Sequence, residues 1–143
     1  MPYEFIPHTA DIKVRVKAKS LKQLFLESFE ALNSIILENE PEKIKSKKTK
    51  TIKIKSPDKH LDSLFYNFLE EFLYLLDAKH FVVSEIKITN LDMHKSSLTA
   101  VVKGDSSSYY NVSNKIKSPT YNDLKIKRDK KLKFWQVTFV LDV

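Results

Sequence analysis

Polar and apolar residues alternate without a break over residues 12–18. Ile12, Val14, Val16 and Ala18 fall on one side, and Lys13, Arg15 and Lys17 on the other. A period of two is that of a half-buried strand. A short strand over 3–7 precedes it, and the polar turn Pro7-His8-Thr9-Ala10-Asp11 joins the two. Beyond Ala18 the period changes. Leu21, Leu24, Phe25, Leu32, Ile35 and Ile36 recur at helical spacing, with Ser20 as N-cap and Gln23 three residues on to complete a capping box. That helix fades near Glu38 and ends before Pro41.

Residues 42–50 include the Lys-rich run from Lys43 to Lys48, with no aromatic residue interleaved for base stacking. It reads as a solvated edge strand kept from further pairing by its lysines rather than as a nucleic-acid patch. Residues 49–55 then alternate, with Ile52 and Ile54 inward. Ser56-Pro57 reads as the start of a second helix, Ser as N-cap and Pro at the first helical position. Leu61, Leu64, Phe65, Phe68, Leu69 and Phe72 carry its apolar repeat, Leu75 and Leu76 continue it, and Asp77 ends it. This most apolar segment is the expected central core helix, wide enough in its apolar arc to be covered on two faces.

Strands follow over 81–89 and 97–104 as an antiparallel pair, and residues 105–114 read as a mobile polar loop. Residues 116–121 and 124–126 lead to a charged hairpin turn over 128–131. A last strand over 134–143 puts Trp135, Val137, Phe139, Leu141 and Val143 on one face. The order predicts a single α+β domain over 1–143, mostly antiparallel sheet with two helices packed on one face.

Composition narrows the function classes. With 143 residues, 42% hydrophobic, the chain is large enough to bury a core without staples. The absence of Cys excludes disulfides, thiolate zinc sites and Cys nucleophiles. A single Gly, Gly104, excludes Gly-rich phosphate loops. No basic region precedes an apolar run at the start, and no run approaches the ~20 apolar residues of a membrane span. A cytoplasmic protein without a membrane partner is expected. The net charge of +7 is nearly all Lys, with Arg15 and Arg128 the only arginines. Lys lacks the planar fork of Arg, so weak, non-specific RNA attraction is expected, without sequence reading.

Candidate chemistry is sparse. His8, His60, His80 and His94 show no metal-ligand spacing, and Ser106 to Ser108 lack a nucleophile elbow. Asp58 and Asp62 are accounted for by a helix dipole. Asp11 sits at the mouth of a rigid strand, where a carboxylate binds a cation with little ordering cost, or else satisfies a local turn. Asp142 and the main-chain carboxylate expected at Val143 close the last strand, either as oxygen ligands or as a frayed end. Whether Asp11 and Asp142 meet is left open by the residues alone.

His8-Thr9-Ala10-Asp11, the helix opening Ser20-Leu21-Lys22-Gln23-Leu24-Phe25, the Leu- and aromatic-rich second helix, Thr120-Tyr121-Asn122-Asp123-Leu124 and the closing Asp142-Val143 together resemble the archease family over nearly the whole chain. The resemblance implies a protein cofactor, not an enzyme, that activates an RtcB-type RNA ligase by promoting guanylylation and multiple turnover in tRNA splicing. It also implies a divalent metal ion held by Asp11, Asp142 and Val143, with Ca²⁺ first and Mg²⁺ or Zn²⁺ as alternatives. The ligase is the implied protein partner, and tRNA is engaged indirectly or weakly. Two rival readings are a chaperone-like or specificity-modulating module for a tRNA methyltransferase, and a metal-dependent hydrolase using Asp11 and His8. Two departures stand out: Asn122 where the family commonly has His, and Lys13 where a small residue is usual.

Overall fold

Strand β2 (Asp11–Ala18) lies between β1 (Tyr3–Ile6) and β7 (Phe134–Asp142), and β6 (Ser118–Asp129) closes the other side. All three pairings are antiparallel. A second antiparallel sheet is ordered β3 (Lys48–Lys55), β5 (Ser97–Ser106), β4 (Phe81–Asp92). The structure is a computed structural model and describes residues 2–6, 11–38, 43–113 and 115–143. The α+β class with two helices against antiparallel strands is therefore as expected. The strands divide into two sheets, however, where one was anticipated, because alternation marks a strand but not its neighbours.

The helices α1 (Leu21–Ile36) and α2 (Leu61–Lys79) reach both sheets. Asn33 on α1 donates its side-chain amide to the carbonyl of Val83 on β4 at 3.1 Å. On α2, Asn67 donates to the carbonyl of Lys55 on β3 at 3.0 Å, while Asp62 accepts the N–H of Ile126 on β6. Buried between them is one core, whose densest part is aromatic. Phe25 packs on Phe65 and Phe68 at centroid distances of 5.3 and 5.1 Å, and Phe65 meets Phe139 of β7 at 5.5 Å. Each such ring pair contributes about 0.5–1.5 kcal/mol beyond its buried area. No helix among the described residues is long and apolar enough to cross a membrane.

Local chemistry explains several differences from the sequence pattern. Ser20 Oγ accepts the N–H of Gln23 as an N-cap should, but the Gln23 amide donates forward to Glu27, so the capping box is half made. Helix α2 begins at Leu61, not at Ser56-Pro57. Asp58 gathers the Ser56 hydroxyl, the His60 N–H and the Ser63 hydroxyl into a turn, and Lys59 adopts φ 59°, which no right-handed helix allows. At its other end α2 runs past Asp77 to Lys79 and stops where His80 turns left-handed at φ 51°.

The Lys-rich run is also different. Regular pairing begins only at Lys48, and β3 is indeed an edge strand. Residues 105–113 are tied down rather than loose. Asp105 is buried, Tyr110 donates its hydroxyl to Asp105 at 2.8 Å, and the same hydroxyl accepts the N–H of Lys45. Further along, Ser113 donates its N–H to the carbonyl of Ile36 at 2.8 Å. The Tyr110 hydroxyl, with the Ser106 N–H and the charges of Lys47 and Lys48, holds the Asp105 carboxyl below its usual range.

Candidate functional site

The register of β2 against β7 sets Asp11 directly opposite Asp142. Residues directly opposite in an antiparallel pair share a face, with Cβ atoms about 4.5–5.5 Å apart. Since Ile12, Val14 and Val16 pack inward with Leu141, Phe139 and Val137, the two aspartates stand on the outer face. Ser118 of β6 is opposite Asp142 on its other side, and the Asp142 carbonyl accepts the N–H of Lys117 at 2.8 Å. The end of β7 is thus gripped from both flanks rather than frayed. Val143 follows as a half-exposed residue at the same end of the sheet. Of the motif Pro7-His8-Thr9-Ala10-Asp11, the first four residues lie outside the described part of the chain, so His8 has no geometry to compare.

Successive rows on this outer face change sign. Past the acidic row come Lys13 beside Val140 and Thr120, then Arg15 beside Thr138 and Lys125. The next row is Lys17, Gln136 and Lys127. The remaining histidines are elsewhere: His60 and His80 flank α2, and His94 lies in the β4–β5 turn. Among the described residues, no three of His, Cys, Asp and Glu gather into a metal-holding group.

The late motif Thr120 to Leu124 forms a bulge. Pairing with β7 runs through Thr120–Val140 and resumes at Lys125–Thr138, so one residue of β7 is matched by four of β6. Asp123 takes φ 60°, and the Asn122 N–H donates to Thr120 Oγ1. The extruded Tyr121 stacks on Tyr66 of α2, with centroids 4.0 Å apart and planes 10° from parallel, and it is still 56% exposed. Asn122 is therefore part of a bulge tip beside the sheet, and no alternation in the sequence could have marked it.

The sequence profile of the archease protein family (MTH1598/TM1083) matches residues 3–143. The chain belongs to the archease family. Among its relatives, the protein archease of Methanosarcina barkeri is 31% identical over 145 residues, covering 99% of this chain and 95% of that one. Protein archease of Pyrococcus furiosus is 33% identical over 130 residues, covering 88% of each. The solution structure of Methanobacterium thermoautotrophicum protein 1598 has the same fold, with a TM-score of 0.75, 19% identity and 99% coverage of both chains.

The donor set at the acidic end of this archease fits a hard cation. Asp11 and Asp142 stand opposite one another on neighbouring strands, with Ser118 on the next strand and Val143 at the same end. Oxygen-only donors suit Ca²⁺ or Mg²⁺ better than the N and S ligands that zinc favours.

Proposed function

We propose that this archease is a cation-dependent accessory protein, not itself a catalyst, that activates an RtcB-type RNA ligase during tRNA splicing by promoting its guanylylation and turnover. A cytoplasmic site of action follows from that role. What supports the reading is family membership together with the cross-strand pairing of Asp11 with Asp142. Asp11 and Asp142, with Val143 at the same end, would hold a divalent cation, Ca²⁺ by preference, whose charge would offset the repulsion of the two carboxylates at the rim of a rigid sheet. Such a rim can enter a partner's site without rearranging, so docking carries little ordering cost.

The deciding experiment is multiple-turnover RNA joining by the cognate ligase with and without this protein. Turnover should rise when the protein and a divalent cation are both present, and the protein alone should neither join RNA nor hydrolyse GTP. Ligation or GTP hydrolysis by the protein alone, or unchanged ligase turnover in its presence, would overturn the reading.

A further inference from the structure

Beyond the acidic end, the outer face of the four-stranded sheet carries two parallel rails of cations. Lys13, Arg15 and Lys17 form one on β2, and Lys125 with Lys127 form the other on β6. Same-face neighbours along a strand are about 6.6 Å apart, and the rails, two strand spacings apart, are separated by about 9.6 Å. Between them β7 contributes neutral hydrogen-bonding side chains, Gln136 and Thr138. Among the described residues, Lys13, Lys17, Lys125 and Lys127 are in no ion pair, while Arg15 is held by Glu4 at 3.2 Å.

The acids nearest the rails keep their charge but are engaged locally. Asp129 accepts the N–H groups of Lys131 and Leu132 in the hairpin turn, and Glu4 is taken by Arg15. Asp123 remains, on the rim of the bulge. Lys125 and Lys127 also line an open cavity of about 360 Å³ together with Gln136, Thr138, Tyr121 and Asp123. Aromatic surface lies at two places on this path. Tyr121 is exposed and braced by Tyr66, and half-buried Phe134 lies under the Lys17 ammonium at 5.4 Å.

We propose that this face is a track for single-stranded nucleic acid, with the phosphate backbone running between the two rails and Tyr121 serving as a platform on which a base stacks. A positive groove with an aromatic platform is the combination that binds single strands without reading sequence. An acidic polypeptide would use the rails but has no need of a rigid, exposed ring. A duplex would need a broader surface than a trough about 9.6 Å wide. The Asp11–Asp142 row, where the face changes sign, bounds the track, so the strand enters from the Arg15–Lys125 row onward. The track stands independently of whether the acidic end holds a cation or the protein meets a ligase.

Fluorescence anisotropy with a labelled single-stranded RNA of about 12 nucleotides, within the usual range of single-strand site sizes, tests this. The track pair Lys125→Gln/Lys127→Gln is compared with the charge-matched pair Lys53→Gln/Lys55→Gln on β3, whose side chains are exposed on the other sheet. Each lost phosphate contact lowers the salt slope by about 0.7, so the track pair should lose about 1.4 and the β3 pair nothing. Tyr121→Ala should weaken binding about tenfold, whereas Tyr121→Phe, which keeps the stack, should bind like the parent. Equal losses for the two lysine pairs would overturn the track, as would failure of the parent to bind. Polyglutamate competing as well as RNA, with Tyr121→Ala indistinguishable from the parent, would assign the face to acidic polypeptides and overturn it too.

Discussion

Asp62 in the first turn of α2 accepts the backbone N–H of Ile126 on the edge strand β6 at 3.0 Å. One carboxylate therefore does two things. It lies favourably at the positive end of the helix dipole, and it satisfies a donor just past the bulge of Thr120 to Lys125. Its electrostatic role at the helix start was legible from position, but the tie to β6 was not.

Asp62→Ala should lower stability by about 1–3 kcal/mol, the cost of stranding a partly buried donor and losing a charge-assisted bond. In a domain of this size that is a fall of about 3 °C in Tm for each kcal/mol. Asp62→Asn keeps an acceptor and should be milder. Thermal melting gives the ranking, and amide exchange at Ile126 should quicken in the Ala variant. An Ala variant that melts with the parent and protects Ile126 equally would show that the bond contributes nothing.

Gly104 is the only glycine of the chain and sits on β5 opposite Val83, beside the irregularity between Val83 and Glu85. A Cβ added there would lie 1.9 Å from the Val82 carbonyl oxygen and 2.9 Å from its carbon. Both are backbone atoms and cannot rotate away. Gly104→Ala should therefore separate β4 from β5 and cost about 3 kcal/mol or more. Urea denaturation is the measurement, and a midpoint within error of the parent would refute the close approach.

Asp58 is an exposed carboxylate with a depressed pKa, from the usual 3.8 to about 2. The Ser56 hydroxyl contributes most, followed by the His60 N–H and the Ser63 hydroxyl. A depressed folded-state value means that protons bind the unfolded chain more readily. The stabilisation is full above about pH 4 and fades as pH falls toward about 2. Asp58→Asn should therefore be less stable than the parent near neutrality and should converge on it in acid. Urea midpoints taken across that window measure this, and a gap that stays constant down to the lowest pH would remove the carboxylate's bonds as its cause.

What the chain revealed before its fold was known depended on how local the signal was. The alternation of Ile12 to Ala18 and the repeat from Leu61 to Leu76 concern single elements, and burial of Val14, Val16, Phe65 and Phe68 follows those periods. The start of α2 was misread because Ser56-Pro57 is a legitimate helix opening that Asp58 and Lys59 override with a turn of their own. The loop expected over 105–114 hides a buried Asp105–Tyr110 bond, which composition alone cannot distinguish from a polar, solvated segment. At the site, Asp11 and Asp142 were both singled out, but their meeting depends on a register between residues 131 positions apart. The basic rails were missed for the same reason. Lys13 and Lys17 look like the solvent face of one strand, and Lys125 with Lys127 like that of another, until β7 places them on either side of a trough.

Asp11 and Asp142 should make stability depend on divalent cations in a way that changes sign. Like charges directly opposite on neighbouring strands destabilise a sheet by about 0.2–1 kcal/mol. In the presence of a chelator, Asp142→Asn should thus melt with the parent or slightly above it. Binding to the folded state alone stabilises by mass action, about 2.7 kcal/mol at a cation concentration 100 times Kd. Added Ca²⁺ should then raise the Tm of the parent while leaving Asp11→Asn and Asp142→Asn nearly unmoved, so the order of the three proteins reverses. Calorimetric titration should show loss of cation binding in both variants, and ligase activation should fall in parallel with it. Because the melts require no partner, they separate failure of the cation site from failure of the ligase reading. A parent whose Tm ignores Ca²⁺ and Mg²⁺ alike would remove the cation from Asp11 and Asp142, whatever the ligase does.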